Sequence, residues 1–200
     1  MNKEMNVDDG LASTDVGENS KLVNQKLGSK PIVLIGLMGA GKSTVGRRIA
    51  QYLNRPFIDS DNEIEKAAGM PIPDIFETHG EDEFRAGEVR VISRLLSENK
   101  NAVIATGGGA FMNEATRTNI KKYAVSLWLD ADIHLLFERV SRRNTRPLLR
   151  TADPFGTLKA LYDERNPTYA LADVKVTSFD GTHEAVAAKA ITALAAYLNA

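Results

Sequence analysis

A single α/β domain with a parallel sheet covered by helices on both faces is the fold class the sequence predicts. Two observations carry it. Short apolar runs alternate along the chain with segments whose apolar residues recur at helical spacing. A glycine-rich turn follows the first run and leads into the first periodic segment, as at the binding crevice of an open parallel sheet.

Pro31–Ile35 is nearly continuous in apolar residues, the mark of a strand buried on both faces. Gly36–Gly41 is the turn, and Val45, Ile49 and Leu53 then recur at helical spacing. Pro56–Ile58 is a second short strand, ending in Asp59-Ser60-Asp61, and residues 62–69 read as helix. Pro71 and Pro73 mark a break. Ile72, Ile75 and Phe76 suggest a short helix ending at Gly80. Phe84, Ile92 and Leu95 define a longer amphipathic helix with Arg85 and Glu88 one turn apart on a single face. Asn101–Thr106 is a third strand running into Gly107-Gly108-Gly109. A helix near 113–122 leads to a fourth strand, Val125–Leu129, and then to a helix over 132–141. Arg142–Arg150 is a basic loop without periodicity. Leu158, Leu161 and Tyr162 restart a helix, Val174–Val176 is a fifth strand, and residues 183–198 form a final alanine-rich helix.

Residues 1–29 are polar and rich in Gly, Ser, Asn and Asp, so a disordered extension is expected there, with one domain over residues 30–200. That extension lacks the basic start and apolar centre of a signal peptide, and no apolar run reaches the length of a membrane span. Cytoplasmic residence is the resulting expectation. The net charge of −1 gives no global field for nucleic acid or an anionic membrane, so phosphate binding must be local. Absence of cysteine excludes disulfides, thiolate metal sites and a cysteine nucleophile. His79, His134 and His183 stand singly, without ligand spacing.

Gly36-Leu-Met-Gly39-Ala40-Gly41-Lys42-Ser43-Thr44 matches G-x-x-x-x-G-K-[ST] at every fixed position, between a strand and a helix. Glycines let main-chain N–H groups approach phosphate oxygens, and the helix start adds unpaired N–H groups and a positive dipole end. Lys42 can then reach the outer phosphates and Ser43 can ligate Mg²⁺. Asp59 and Asp61 lie beyond a strand's carboxyl end. One could hold Mg²⁺ through water while the other takes a proton from a hydroxyl, or they could simply cap a helix. Arg85, Arg146 and Arg165 read singly as surface charges; together they suit a carboxylate and a transferring phosphoryl group. The turn Gly107–Gly109 could lie flush against a small ligand.

Taken in order over roughly residues 31–180, the glycine-rich loop with Gly46-Arg47, Asp59-Ser-Asp61, Phe84-Arg85-x-x-Glu88, Gly107–Gly109, Arg146-Pro-Leu-Leu149 and Arg165-Asn-Pro-Thr-Tyr169 resemble the shikimate kinase family. The resemblance implies a three-layer α-β-α P-loop kinase fold with a five-stranded parallel sheet of order 2-3-1-4-5. It implies transfer of the γ-phosphoryl of ATP to the 3-hydroxyl of shikimate, in aromatic amino-acid biosynthesis, with ATP and Mg²⁺. By motif position, Gly39, Ala40, Gly41, Lys42, Ser43 and Thr44 would hold the ATP phosphates. Ser43 and Asp59, the latter through water, would hold Mg²⁺. Asp61 would bind substrate hydroxyls and be the candidate base, and Lys42 and Arg146 would stabilise the transferring group, with Arg146 on a lid near 142–156. Arg85, Arg165 and Gly107–Gly109 would bind the acid substrate, with Glu88 orienting Arg85. Arg139 or Arg142 would stack on adenine. One departure stands out: many relatives have a proline in the loop after the last strand, and Thr177–His183 has none. A monomer whose only partner is the small-molecule substrate is expected. The alternatives are another P-loop metabolite kinase, acting on gluconate or a nucleoside monophosphate, and an ATP-binding module without turnover. An acceptor panel separates all three.

Overall fold

The computed structural model describes residues 7–142 and 151–200. Five parallel strands form one sheet: β1 (Ile32–Ile35), β2 (Phe57–Asp59), β3 (Val103–Ala105), β4 (Val125–Ala131) and β5 (Val174–Ser178), in the order β2-β3-β1-β4-β5. Strand β1 lies at the centre, with Ile32 in register with Val103 of β3 on one side and Val125 of β4 on the other. All four of its residues are buried, which explains the unbroken apolar run. The order reverses about β1, so a crevice opens beyond the carboxyl ends of β1 and β3. The glycine turns 36–41 and 107–109 leave the sheet at those ends.

Helix α2 (Lys42–Leu53) buries Val45, Ile49 and Leu53, as their spacing requires. Gly46 on the same helix is a glycine because a Cβ there would come within 2.8 Å of the Phe57 ring. Helix α3 (Ser60–Ala68) starts immediately after β2. Helix α4 (Ile72–Glu98) runs through a single non-helical residue, Gly80, at φ 79°. Two helical stretches therefore meet at Gly80, as the sequence predicts, and are labelled together as α4. Helices α5 (Glu114–Tyr123), α6 (Ile133–Ser141), α7 (Pro154–Tyr169) and α8 (His183–Asn199) complete the cover. Residues 154–156, expected within a lid, form the first turn of α7, which Asp153 caps through the Gly156 N–H.

The expected disordered extension is corrected by helix α1 (Val7–Leu27), which packs on α2 and α8. Its overall polarity concealed a narrow stripe, Val16, Ser20, Val23 and Leu27, at spacings of a helix face. Val23 and Leu27 are buried in the core. The joint is closed by Arg55, which donates to the Asn24 side chain at 2.8 Å and to the carbonyls of Lys30 and Gly28 at 2.8 and 3.0 Å. Asn24 in turn donates to the Leu53 carbonyl at 3.0 Å. A buried guanidinium held by neutral acceptors keeps its charge at a cost, and burial lowers its pKa from the ordinary value. Among the described residues no helix is long and apolar enough to cross a membrane.

Candidate active site

The turn after β1 is shaped for anions. Gly36, Gly39 and Gly41 have φ of 136°, 84° and 94°. A Cβ at Gly36 would run into the Leu129 carbonyl, and one at Gly39 would lie 2.9 Å from the Leu136 carbonyl oxygen. Gly41 caps α2 without a side-chain oxygen, and the first turn has no acid. The helix start therefore offers its N–H groups and positive dipole end to a ligand. Lys42 Nζ donates to the carbonyls of Gly36 and Leu37 at 2.7 and 3.0 Å, which holds the ammonium against the turn. Ala40 is buried and its N–H turns to the Leu37 carbonyl at 3.3 Å, so it supports the loop from behind.

Ser43 Oγ donates to Asp59 Oδ2 at 2.6 Å, while Asp59 Oδ1 accepts the Asp61 N–H at 3.1 Å and caps α3. A hydroxyl and a carboxylate oxygen side by side suit Mg²⁺, which keeps several waters and takes few protein oxygens. Among the described residues no three acids or histidines cluster as a protein metal cage.

The turn after β3 gathers the remaining charges. A Cβ at Gly107 would lie 2.8 Å from Glu88 Oε1 and 2.9 Å from Asp61 Oδ1. At Gly109 it would lie 2.7 Å from the Arg85 Cζ. At Gly108 it would meet the Met38 N–H nitrogen at 3.5 Å and Arg165 Nη1 at 3.9 Å. Thus Gly107 and Gly109 are glycine because the protein's own charged groups fill that space. Gly108 alone has ordinary clearance.

Arg85 bonds to Glu88 at 2.9 Å and to Glu81 at 3.0 Å. Burial pulls the Arg85 pKa down, but the two carboxylates outweigh it and the net shift is upward. Glu88 is 2% exposed. Burial pushes its pKa up, against the pull of Arg85, and the nearby Asp61 carboxylate adds to the rise. Arg165 is 8% exposed, and its Nε has no hydrogen-bond partner among the described residues. A buried guanidinium N–H left unmatched is a place for an acceptor to arrive.

Arg139 donates to Ser178 Oγ at 3.2 Å and to the Phe179 carbonyl at 3.0 Å, tying α6 to the loop after β5. Arg142 pairs with Glu138 one turn back. Both arginines line the same cleft of about 380 Å³ as Gly39, Gly41, Lys42, Ser43, Thr44, Asp59, Asp61, Gly107 and Gly108. Arg146 lies outside the described residues. Sequence reasoning missed Thr106, Asp180, Gly181 and His183, which also line the cleft. His183 stands singly in the sequence, without ligand spacing, and the one signal available was its place after the last strand. Tyr169 was noted within a motif but given no part. A larger hollow of about 560 Å³ between α3 and α4 contains none of the expected residues. Two of its rim arginines, Arg90 and Arg94, are paired with Glu83 and Glu63, so they do not converge on a ligand.

A family model described as shikimate kinase matches residues 38–195. The chain belongs to the shikimate kinase family. A shikimate kinase of Rhodopseudomonas palustris is 56% identical over 174 residues, covering 87% of this chain and 85% of that protein. One from Brucella canis is 50% identical over 186 residues, covering 93% and 92%. The structure is similar to that of shikimate kinase from Acinetobacter baumannii in complex with shikimate, with a TM-score of 0.78 and 38% identity over 82% of this chain and 92% of that one. The family's three-layer P-loop kinase fold, with sheet order 2-3-1-4-5, is the architecture described above.

Proposed function

We propose that this chain is a shikimate kinase: an ATP-dependent enzyme that moves the γ-phosphoryl of ATP to the 3-hydroxyl of shikimate, giving shikimate 3-phosphate and ADP. One observation carries the reading beyond family membership. At Gly108 the phosphate turn and the buried Arg165 both come within 4 Å of the point a Cβ would hold. A ligand in the phosphate turn and an acid held by Arg165 would therefore meet across a single residue.

The site residues support a division of labour. The amides of Gly39 and Gly41–Thr44 and the Lys42 ammonium hold the phosphates, with Ala40 supporting the loop from behind, and Ser43 with Asp59 would hold Mg²⁺, Asp59 through water. When bound, Mg²⁺ would neutralise charge that develops on transfer. Arg85, steadied by Glu88 and Glu81, and Arg165 take the substrate carboxylate as paired guanidinium donors. Asp61 accepts the proton of the attacking hydroxyl as the new O–P bond forms and the bond to the β-phosphate oxygen breaks. Lys42 stabilises the transferring group, and motif position alone assigns Arg146 to the same work. Of the two arginines considered for adenine, Arg139 is anchored to the loop after β5, which favours it. The reading includes cytoplasmic residence and action as a monomer.

The test is ADP release measured with shikimate, gluconate and a nucleoside monophosphate as acceptors. Shikimate is expected to stimulate release well above the acceptor-free rate, and the others are not. Stimulation by gluconate or a nucleotide instead would move the chain to another metabolite kinase. ATP binding without any acceptor-stimulated release would make it a binding module.

A further inference from the structure

Tyr169 ends α7, one turn after Arg165 and on the same face. It is 1% exposed, packs near Trp128 at 6.0 Å between ring centroids, and donates its hydroxyl proton to the Gly108 carbonyl. The Arg165 guanidinium lies beside the same turn, its Nη1 3.9 Å from the point a Gly108 Cβ would hold, and its charge acts on the phenol. Burial pushes the phenol up to about 12, with Arg165 pulling the other way, so the group stays a donor throughout the working range. Nothing in the phosphoryl-transfer chemistry consumes this hydroxyl. It joins two parts of the site that come from distant segments of the chain.

We infer that Tyr169 is a positioning residue for acid-substrate binding: its hydroxyl spans the Gly108 carbonyl and Arg165 and fixes the distance between them. This rests on the shikimate kinase reading. Without the hydroxyl, the Gly108 carbonyl loses its donor and the Arg165 guanidinium loses a polar neighbour. The guanidinium then has more than one resting place, and the acid must select the productive one.

The test is Tyr169→Phe, which keeps the ring and deletes the hydroxyl. KM for shikimate is expected to rise about tenfold, the scale of one lost hydrogen bond. KM for ATP is expected to stay within about twofold and kcat within about threefold, since the phosphate turn is untouched. In an Arg165→Ala background the same change is expected to alter KM for shikimate less than about twofold, because the group it positions is gone. A purely structural role would predict parallel rises in both KM values and equal effects in both backgrounds; either result overturns the inference. Should the Phe variant not fold, backbone ¹⁵N relaxation on the wild type decides. Gly107–Gly109 are expected to show rigid order parameters of about 0.85 before substrate is added, and values below about 0.6 overturn the inference. Wild-type enzyme without shikimate-stimulated turnover would sink the functional reading and this inference with it. Normal wild-type turnover with an unchanged KM in Tyr169→Phe sinks the inference alone.

Discussion

The wall proposed to hold phosphate is made of backbone, whereas the one proposed to hold the acid is made of buried charge. The first wall is one contiguous segment, Gly36 to Thr44, whose shape follows from positive φ at three glycines and an uncapped helix start. The second draws on Asp61, Arg85, Glu88, Gly107–Gly109 and Arg165, which come from four separate stretches of chain. Its centre is a carboxylate with almost no solvent around it. Backbone amides carry no titratable proton and need no partner to stay in place. A buried carboxylate beside two guanidinium groups must be paid for in desolvation, and it responds to pH. Damage to the first wall should thus show in turnover, and damage to the second in acid affinity and in stability.

The largest effect is expected from Lys42→Ala. Loss of this cation should lower kcat by about 10²–10³-fold, the scale of removing one preorganised stabiliser of developing charge. The melting temperature should move by only about 2–4 °C, as for a loss near 1 kcal/mol in a chain of this size. Coupled ADP release and a thermal melt check both. A large fall in melting temperature would break the contrast between the walls.

Glu88→Gln probes the other wall. KM for shikimate should rise about tenfold as Arg85 loses one charged partner, with KM for ATP unchanged. The pH dependence of stability has a definite sign. The folded-state pKa of Glu88 lies above its ordinary value of 4.5, chiefly through burial. Between those two values the folded protein holds more protons than the unfolded chain, so this group's contribution falls as pH rises. It is fully present below 4.5 and lost as pH passes through the raised value. The glutamine variant has no such group. Melting temperatures measured from pH 4 upward should therefore show the wild type losing ground relative to the variant. A wild type that instead gains ground would mean that Arg85 outweighs burial at this site.

The same contrast governs what could be read in the sequence. The phosphate wall was legible because a local motif, a strand before it and a helix after it all sit within one short stretch. Strand order followed from the family resemblance, and most elements from periodicity. Arg85, Glu88, Gly107–Gly109 and Arg165 were visible as pieces, but their reasons were not. Gly107 and Gly109 were read as surfaces for a ligand, yet a Cβ there would collide with Asp61, Glu88 and Arg85. Tyr169 stands 61 positions from the carbonyl it holds, and no local pattern encodes that pairing. The anchoring of Arg139 to the loop at Phe179, 40 positions away, was hidden in the same way. Helix α1 was misread for a different reason: composition averages over a whole segment, whereas packing needs only one stripe.

The smallest and sharpest expected difference is between Gly109→Ala and Gly108→Ala. Gly109 has φ −92°, which alanine adopts without strain. Its new methyl must displace the Arg85 guanidinium, whose Cζ would lie 2.7 Å away. A guanidinium at the end of a flexible side chain can move at little cost to the fold, but it moves away from the place where it serves the acid. Gly109→Ala should therefore raise KM for shikimate about fivefold to tenfold, with KM for ATP and melting temperature nearly unchanged. Gly108→Ala adds a methyl with ordinary clearance, its nearest neighbour being the Met38 nitrogen at 3.5 Å. That methyl enters the seam where the two walls meet, so both KM values should rise together, by about twofold to fourfold each. Steady-state kinetics with either substrate varied separates these patterns. If Gly109→Ala raised KM for ATP as much as KM for shikimate, the two walls would be one mechanical unit, and the contrast drawn between backbone and buried charge would fail.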